Sequence, residues 1–185
     1  RHGIAGGFFM WKVGGARAAK GGNLNDVIAS AKNVVNRTKS ICVGLEPCVI
    51  PALGHSNFKI EDGTMEFGVG HHGEAGTKVE ELKSASEIAQ EMAETILNDF
   101  DFEEGKEVAV MLSGLGATPV MELYVLYDEV EKVLAKAGHK VWKTYIGNYV
   151  TSLDMNGASL TIVDLDDEVK ELLSEPAAPI GMKNY

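Results

Sequence analysis

Two adjacent histidines in a glycine-rich segment are the residues of this sequence best suited to chemistry. Residues 68–76 read GVGHHGEAG, with His71 and His72 at the centre. A neutral imidazole nitrogen is a nucleophile near neutral pH, and glycine at this density leaves the backbone open to a ligand. The same pattern also suits a tight turn after a buried strand, in which neither histidine has a chemical role.

A metal ion shared by these two histidines is disfavoured. The sequence predicts a strand over residues 65–72, and successive side chains of a strand point to opposite faces. One imidazole would then face a site, and the other would face the core or the solvent. No nearby cysteine and no suitably spaced third histidine accompanies them. We therefore predict no metal site here.

A second glycine-rich segment, residues 113–119 (SGLGATP), lies between a predicted strand and a predicted helix. Backbone N–H groups at such a junction can bind an anion. The segment contains neither the GxxxxGK[ST] loop nor the GxGxxG loop of nucleotide-binding proteins. An ordinary strand–helix turn is the alternative, with Thr118 as helix cap and Pro119 at the first helical position.

The segment 147–157 contains Ser152 and Asp154, and His139 precedes it in the sequence. A Ser–His–Asp hydrolase of the α/β type would need a GxSxG nucleophile elbow, which is missing. We therefore interpret residues 147–157 as a solvated loop rich in turn-forming residues.

The charge of the chain limits its partners. A net charge of −10 argues against nucleic acid as a partner. The sequence contains no run of 18 or more apolar residues, so no membrane span is predicted. The acidic run 164–168 lacks the spacing of a calcium-binding EF-hand. Asp166 and Asp167 are explained by the dipole of a helix that begins there.

Alternating and helical apolar patterns predict the elements that position these segments. The predicted strands cover residues 41–45, 65–72, 108–112, 141–147 and 159–165. The predicted helices that follow or separate them cover residues 79–98, 119–137 and 166–174. Strands and helices in this order predict a two-layer α/β or α+β fold, with helices packed on a mixed β-sheet.

Two further helices are predicted in the first 40 residues, without strands of their own. Asn25 is the predicted cap of the second helix. Its predicted buried residues are Val27, Ile28, Ala31, Val34 and Val35. We assign residues 1–40 to a helical remnant of a preceding domain and residues 41–185 to the domain that carries the histidines. Because the chain starts with Arg1 and has no signal-peptide pattern, we expect a fragment or a processed chain.

The two cysteines, Cys42 and Cys48, match neither a CxxC redox pair nor a zinc knuckle. We predict two reduced, buried residues that pack as small apolar side chains in a cytoplasmic protein.

Several segments together resemble the K subunit of dihydroxyacetone kinases. MEFGVGHHGEAG is similar to that family's MEFGVGIHGEPG-type motif, and LSGLGATPVMELYVLY is similar to its NNLGATPLSELYGVY-type segment. GNYVTSLDMNGASLTIVDLDDE is similar to its GAYCTSLDMTGFSITLLKVDDE-type segment. PCVIPALGHSNF and the opening residues also have counterparts, in the same order and spacing. The resemblance covers essentially the whole chain, but only the C-terminal half or so of the K subunit.

The resemblance implies a covalent role for His72. In that family the histidine of the HGE motif attacks the ketone carbonyl and forms a hemiaminal, and His72 is the histidine that stands next to Gly-Glu. The sequence departs from the family pattern at His71, which replaces an apolar residue, and at Ala75, which replaces a proline. Glu74 is expected to orient the loop or the imidazole at most, without a direct role.

The resemblance also implies the partners. The substrate is dihydroxyacetone or a related short ketose such as erythrulose, and we expect a cytoplasmic homodimer. This chain is expected to bind no cofactor, because ATP or ADP with Mg²⁺ is held by a separate L-type domain or subunit. Whether the phosphoryl donor is ATP or a phosphotransferase system stays open.

The function implied is the substrate-binding part of a dihydroxyacetone kinase. The family's acid–base His and Asp lie N-terminal to the matched region, so the chain alone is expected to be inactive. The alternative is a dihydroxyacetone-sensing transcriptional coactivator without kinase activity.

Overall fold

The computed structural model of the protein describes residues 4–56, 58–72, 74–99, 102, 105–180 and 182. Within them the helices are α1 (Gly7–Ala19), α2 (Leu24–Asn36), α3 (Ala85–Asn98), α4 (Val120–Lys136) and α5 (Asp167–Ser174). The strands are β1 (Thr38–Glu46), β2 (Thr64–Phe67), β3 (Lys78–Glu81), β4 (Glu107–Gly114), β5 (Lys140–Gly147) and β6 (Asn156–Asp164).

The strands of the described residues form one six-stranded sheet in the order β3-β2-β1-β6-β4-β5. β4 and β5 are parallel and are connected through α4, and the other neighbouring pairs are antiparallel. The predicted class, a mixed β-sheet with helices packed on it, is confirmed.

Helices cover both faces of the sheet. Alternate residues of β4 divide between two cores: Val108, Val110 and Leu112 face α3 and α4, whereas Ala109 and Met111 face α1 and α5. This alternation is the period of a β-strand, and it explains why β4 reads as a continuous apolar run. The predicted two-layer arrangement describes the sheet together with α3 and α4, and α1 and α5 add helices on the opposite face.

The edge strand β3 was not predicted. Residues 79–81 were assigned to the start of a helix, but the strand Lys78–Glu81 pairs with β2 instead. The helix begins only after Ser84, whose hydroxyl forms a capping box with Glu87. Because β3 is exposed and mostly charged, its sequence lacks the apolar alternation that would reveal a strand.

The first two helices differ from their predicted packing. Phe9 and Val13 of α1 are fully buried in the core that contains Met111, so α1 lies on the sheet. The cap of α2 is Asn23, not Asn25, because the Asn23 side chain accepts hydrogen bonds from the N–H groups of residues 25 and 26. The assignment of residues 1–40 to a separate domain remnant stays a prediction.

The predicted buried face of α2 was confirmed for Val34 and wrong for Ile28 and Val35. Val34 is buried, but Ile28 and Val35 are 41% and 48% exposed. Polar contacts join the end of α2 to the segment around α5: Asn33 donates to Glu168 at 2.9 Å, and Arg37, just after the helix, pairs with Asp164 at 2.5 Å. Hydrophobic periodicity alone could not show that ion pairs and amides hold α2 to the segment around α5.

The acidic run 164–168 has structural partners. Asp166 caps α5, because its Oδ1 accepts from the Val169 N–H at 2.8 Å, in agreement with the predicted helix start. Glu168 accepts from Arg17 and Ser30 at 2.6 and 2.7 Å. Among the described residues, no group of three or more His, Cys, Asp or Glu side chains is placed to hold a metal ion.

Cys42 and Cys48 are free and buried, as predicted. Burial raises the pKa of the Cys42 thiol to about 12, so this thiol stays protonated near neutral pH. In the part of the chain that the structure describes, no helix combines the length and apolar character needed to cross a membrane.

Candidate functional site

The two histidines lie in the loop that joins β2 to β3, residues 68–77, which we call the histidine loop. Gly68 adopts a left-handed conformation with φ of 82°, and its N–H donates to the Cys42 carbonyl at 2.7 Å. The Thr77 N–H closes the loop by donating to the Phe67 carbonyl at 2.8 Å. A Cβ at Gly76 would lie 2.5 Å from that same carbonyl oxygen, so this close approach requires glycine. Gly73 lies outside the described residues.

The predicted strand over residues 65–72 was too long. β2 ends at Phe67 because Gly68 leaves the extended region there. His71 and His72 therefore lie in a turn, and their ring centroids are 3.9 Å apart. The expectation that the two side chains point to opposite faces was wrong.

Glu74 holds His72 by two hydrogen bonds. Its Oε1 lies 3.1 Å from His72 Nδ1, and its Oε2 accepts from the His72 backbone N–H at 2.9 Å. The pKa of Glu74 is lowered to about 2 by a hydrogen bond from its own backbone N–H and by those from the His72 imidazole and backbone. The carboxylate is therefore ionised at neutral pH. The His72 side chain itself is 73% exposed.

A cleft of about 390 Å³ opens beside the histidines. Its lining residues come from the histidine loop, from the segment after β1 and from the segment between β5 and β6; they are Cys48, Ile50, His71, His72, Thr151, Ser152 and Leu153. The volume is at the lower end of the range typical for small-molecule sites. The structure thus brings the first and third candidate segments of the sequence together.

The second candidate segment, residues 113–119, which we call the glycine loop, supports the wall of this cleft. The N–H groups of Leu115 and Ala117 donate to the carbonyls of Gly157 and Met155 at 3.1 and 3.0 Å. Both donors are therefore engaged inside the protein and are not free to bind the anion that the sequence suggested. The alternative interpretation, a strand–helix turn, describes the segment better.

The predicted roles of Thr118 and Pro119 change accordingly. Pro119 occupies the cap position of α4. The Thr118 hydroxyl instead accepts from the Gly157 N–H at 2.8 Å and lies 2.7 Å from the Gly157 carbonyl oxygen. This buried threonine fastens the glycine loop to the start of β6.

Ser113 fixes the start of the segment after β5. Its buried hydroxyl accepts from the N–H groups of Tyr149 and Val150 at 3.0 and 3.1 Å. Sequence reasoning missed this role, for which a serine at the end of an apolar strand was the available signal. An orienting role of Glu74 was expected, but its two hydrogen bonds with His72 were not.

The segment 147–157 is not an open solvated loop throughout. Ser152 is buried, and its N–H donates to the Leu115 carbonyl at 2.7 Å. Asp154 Oδ1 accepts from the Val49 N–H at 2.7 Å. His139 precedes β5, whereas Ser152 and Asp154 follow it, so an eight-residue strand of about 25 Å separates them. The three residues therefore form no catalytic triad.

These features define an α/β domain with a small-molecule cleft at whose rim a carboxylate-bound histidine is exposed. The chain belongs to the Dak1 domain family, whose sequence model matches residues 1–180. The predicted resemblance to dihydroxyacetone kinase K subunits is thereby confirmed at the level of the family.

Curated relatives with this domain include kinase subunits. The chain is 39% identical over 168 residues to the dihydroxyacetone-binding subunit DhaK of PTS-dependent dihydroxyacetone kinase 1 from Listeria innocua, covering 91% of this chain and 51% of the relative. It is 36% identical over 177 residues to the D-erythrulose kinase of Mycolicibacterium smegmatis, covering 96% and 30%. The chain thus spans about half the length of the first relative and less of the second.

Solved structures agree with this assignment. The dihydroxyacetone kinase operon co-activator Dha-DhaQ superposes with a TM-score of 0.88 at 29% identity, covering 94% of this chain and 54% of that protein. The dihydroxyacetone kinase of C. freundii superposes with a TM-score of 0.85 at 29% identity, covering 94% and 31%. A DegV lipid-binding protein from Thermotoga maritima, at 11% identity and a TM-score of 0.57, shares the fold alone.

Proposed function

We propose that this chain is the substrate-binding part of a dihydroxyacetone kinase and that His72 holds the ketone as a covalent hemiaminal. The observation that carries the proposal is the placement of His72, an exposed imidazole at the rim of the small cleft. The kinase subunits among the relatives, including the dihydroxyacetone-binding subunit of Listeria innocua, support it.

The proposed chemistry uses the nitrogen of His72 that does not face Glu74. The Nε2 lone pair forms a bond to the carbonyl carbon, and the C=O π pair moves to the oxygen, which takes a proton from a solvent water molecule and leaves a hydroxide ion in the solvent. The ring becomes a cation with its proton still on Nδ1, opposite the Glu74 carboxylate. Covalent capture fixes a small flexible substrate for phosphoryl transfer and rejects glycerol, which has no carbonyl.

The phosphoryl donor belongs, in this proposal, to a separate L-type domain or subunit with ATP or ADP and Mg²⁺. The C. freundii dihydroxyacetone kinase was solved in complex with AMP-PNP and Mg²⁺. In the proposal, that partner also binds the Mg²⁺. The expected homodimer, and the inactivity of this chain alone, also stay proposals.

A coactivator that senses dihydroxyacetone is the second candidate. The operon co-activator Dha-DhaQ, with its TM-score of 0.88, favours it. The two functions share ketone capture and differ in phosphoryl transfer, so an assay of phosphorylation distinguishes them.

The experiment that tests the proposal measures phosphorylation of dihydroxyacetone by the full-length protein with a nucleotide-loaded L-type subunit. We expect activity in the wild type and its loss to background in His72→Ala, because the imidazole that bonds to the ketone is removed. Carbonyl-labelled dihydroxyacetone, followed by carbon NMR, reports adduct formation in the same samples.

Each outcome is decisive. A wild type that forms the adduct without phosphorylating it is the coactivator. Full activity in His72→Ala, with the variant folded by circular dichroism, would falsify the covalent role of His72.

A further inference from the structure

The carboxylate of Glu74 contacts His72 at two donor groups at once. Oε1 faces the ring nitrogen Nδ1 and Oε2 faces the backbone N–H, at 3.1 and 2.9 Å. The two contacts fix the ring relative to its own backbone, although the side chain is mostly exposed. An exposed histidine without such a partner would sample several rotamers.

The chemistry of a carboxylate determines which ring nitrogen carries the proton. An ionised carboxylate only accepts hydrogen bonds, and a neutral imidazole has one donor and one acceptor nitrogen. Because Oε1 of the Glu74 carboxylate lies 3.1 Å from Nδ1 and can only accept, Nδ1 is the donor. The Nε2 lone pair is then free.

The loop is shaped around this carboxylate. The Gly70 N–H donates to the Glu74 carbonyl at 2.9 Å, which closes the turn that contains the histidines. A Cβ at Gly70 would lie 2.2 Å from Glu74 Oε2. Any side chain at position 70 would therefore displace the carboxylate from His72.

We propose that Glu74 is a positioning residue, which fixes the His72 ring and holds its proton on Nδ1. The inference rests on the proposed function for the identity of the electrophile. It goes beyond that function in naming the residue that fixes the ring and its tautomer.

Two variants and one control test the proposal in the full-length protein. Glu74→Gln keeps the shape but offers an NH₂ group in place of one acceptor, so it cannot accept from both donors. Gly70→Ala keeps the carboxylate and its charge but occupies the position of Oε2. Glu94→Gln is the control, since it removes the same charge from an exposed site on α3.

The primary measurement is nitrogen NMR of the ligand-free protein with labelled histidine at about pH 8, above the range in which a free imidazole titrates. The signals of His72 are assigned from their loss in His72→Ala. We expect the Nδ1–H tautomer in the wild type and the control, and a mixture of tautomers in Glu74→Gln and Gly70→Ala. A role of Glu74 in loop stability alone would leave the tautomer unchanged.

The second measurement is binding of carbonyl-labelled dihydroxyacetone. We expect adduct formation to weaken about tenfold to a hundredfold in both loop variants, the range for losing a charge-assisted hydrogen bond. An unchanged tautomer in Glu74→Gln, or an Nε2–H tautomer in the wild type, overturns the inference. A wild type with the Nδ1 proton that forms no adduct overturns the proposed function and supports the positioning of the ring by Glu74.

Discussion

The histidine loop and the glycine loop look alike in sequence but use their glycines in opposite ways. Both follow a strand and place glycines around a few polar residues. In the first, the His72 side chain stays 73% exposed beside the cleft. In the second, Ser113 and Thr118 are 0% and 7% exposed, and their hydroxyls bind the backbone of neighbouring segments. Glycine density thus indicates a close backbone approach and does not by itself indicate a ligand.

The two loops differ in which atoms occupy the space beside the glycine that a side chain would take. A Cβ at Gly116 would meet the Leu153 carbonyl oxygen at 1.9 Å, so the space is occupied by a distant segment of backbone. A Cβ at Gly70 would meet the movable end of the Glu74 side chain. The glycine loop therefore holds two parts of the fold together, and the histidine loop makes room for one carboxylate.

The largest effect that this comparison predicts is on stability, for Gly116→Ala. Gly116 has φ of 137°, where a Cβ is strained, and the Leu153 carbonyl leaves no room for it. We expect the free energy of unfolding to fall by about 3 kcal/mol or more. Urea denaturation followed by circular dichroism measures this loss.

Two alanine substitutions provide the controls for Gly116→Ala. Gly70→Ala should cost only about 1 kcal/mol, because a flexible side chain can move away. Gly15→Ala, in the middle of α1 with nothing within 4 Å of the added Cβ, should stabilise the protein by roughly 1 kcal/mol. Equal losses at positions 116 and 70 would contradict the distinction between the loops.

The parts of the fold that the sequence could predict are those whose apolar residues recur with the period of a strand or a helix. The buried strand β4 and the amphipathic helix α4 were predicted to within two residues, because their apolar patterns follow the period of each element. The edge strand β3 and the contacts of α2 with the segment around α5 were not predicted, because β3 is mostly charged and polar side chains hold α2 to that segment. Ion pairs and amide contacts between distant segments leave no periodic signal in one sequence.

Part of the candidate site could likewise be predicted from the sequence, and part could not. The resemblance indicated His72, and the structure places it beside the cleft. The two-point contact of Glu74 and the meeting of the histidine loop with Ser152 depend on a turn and on a long-range approach. Neither contact can be predicted from the local conformational preferences of the residues. The glycines at positions 70 and 116 marked the two places, and only the contacts around them distinguish their roles.

Thr118→Val is expected to lower the free energy of unfolding less than Gly116→Ala does. This substitution removes the hydroxyl and nearly keeps the shape of the side chain. The Gly157 N–H would lose its acceptor at 2.8 Å in a buried environment. We expect a loss of about 2 kcal/mol in the free energy of unfolding. Thr95→Val is the matched control, because the Thr95 hydroxyl donates to the Glu91 carbonyl on the exposed side of α3, and its loss should stay within about 0.5 kcal/mol. Similar losses in the two variants would show that Thr118 does not fasten the glycine loop.

The smallest effect is expected for His71→Ala. His71 lines the cleft and lies against the His72 ring, with 3.9 Å between the ring centroids, but the hydrogen bonds that orient His72 come from Glu74. We expect adduct formation with carbonyl-labelled dihydroxyacetone to change by less than about threefold, and stability by no more than about 0.5 kcal/mol. The measurement is the same carbon NMR titration used for His72→Ala, where the adduct should vanish. If His71→Ala abolished the adduct and His72→Ala retained it, the reactive histidine would be His71. Glu74 would then orient a histidine that does not react with the ketone.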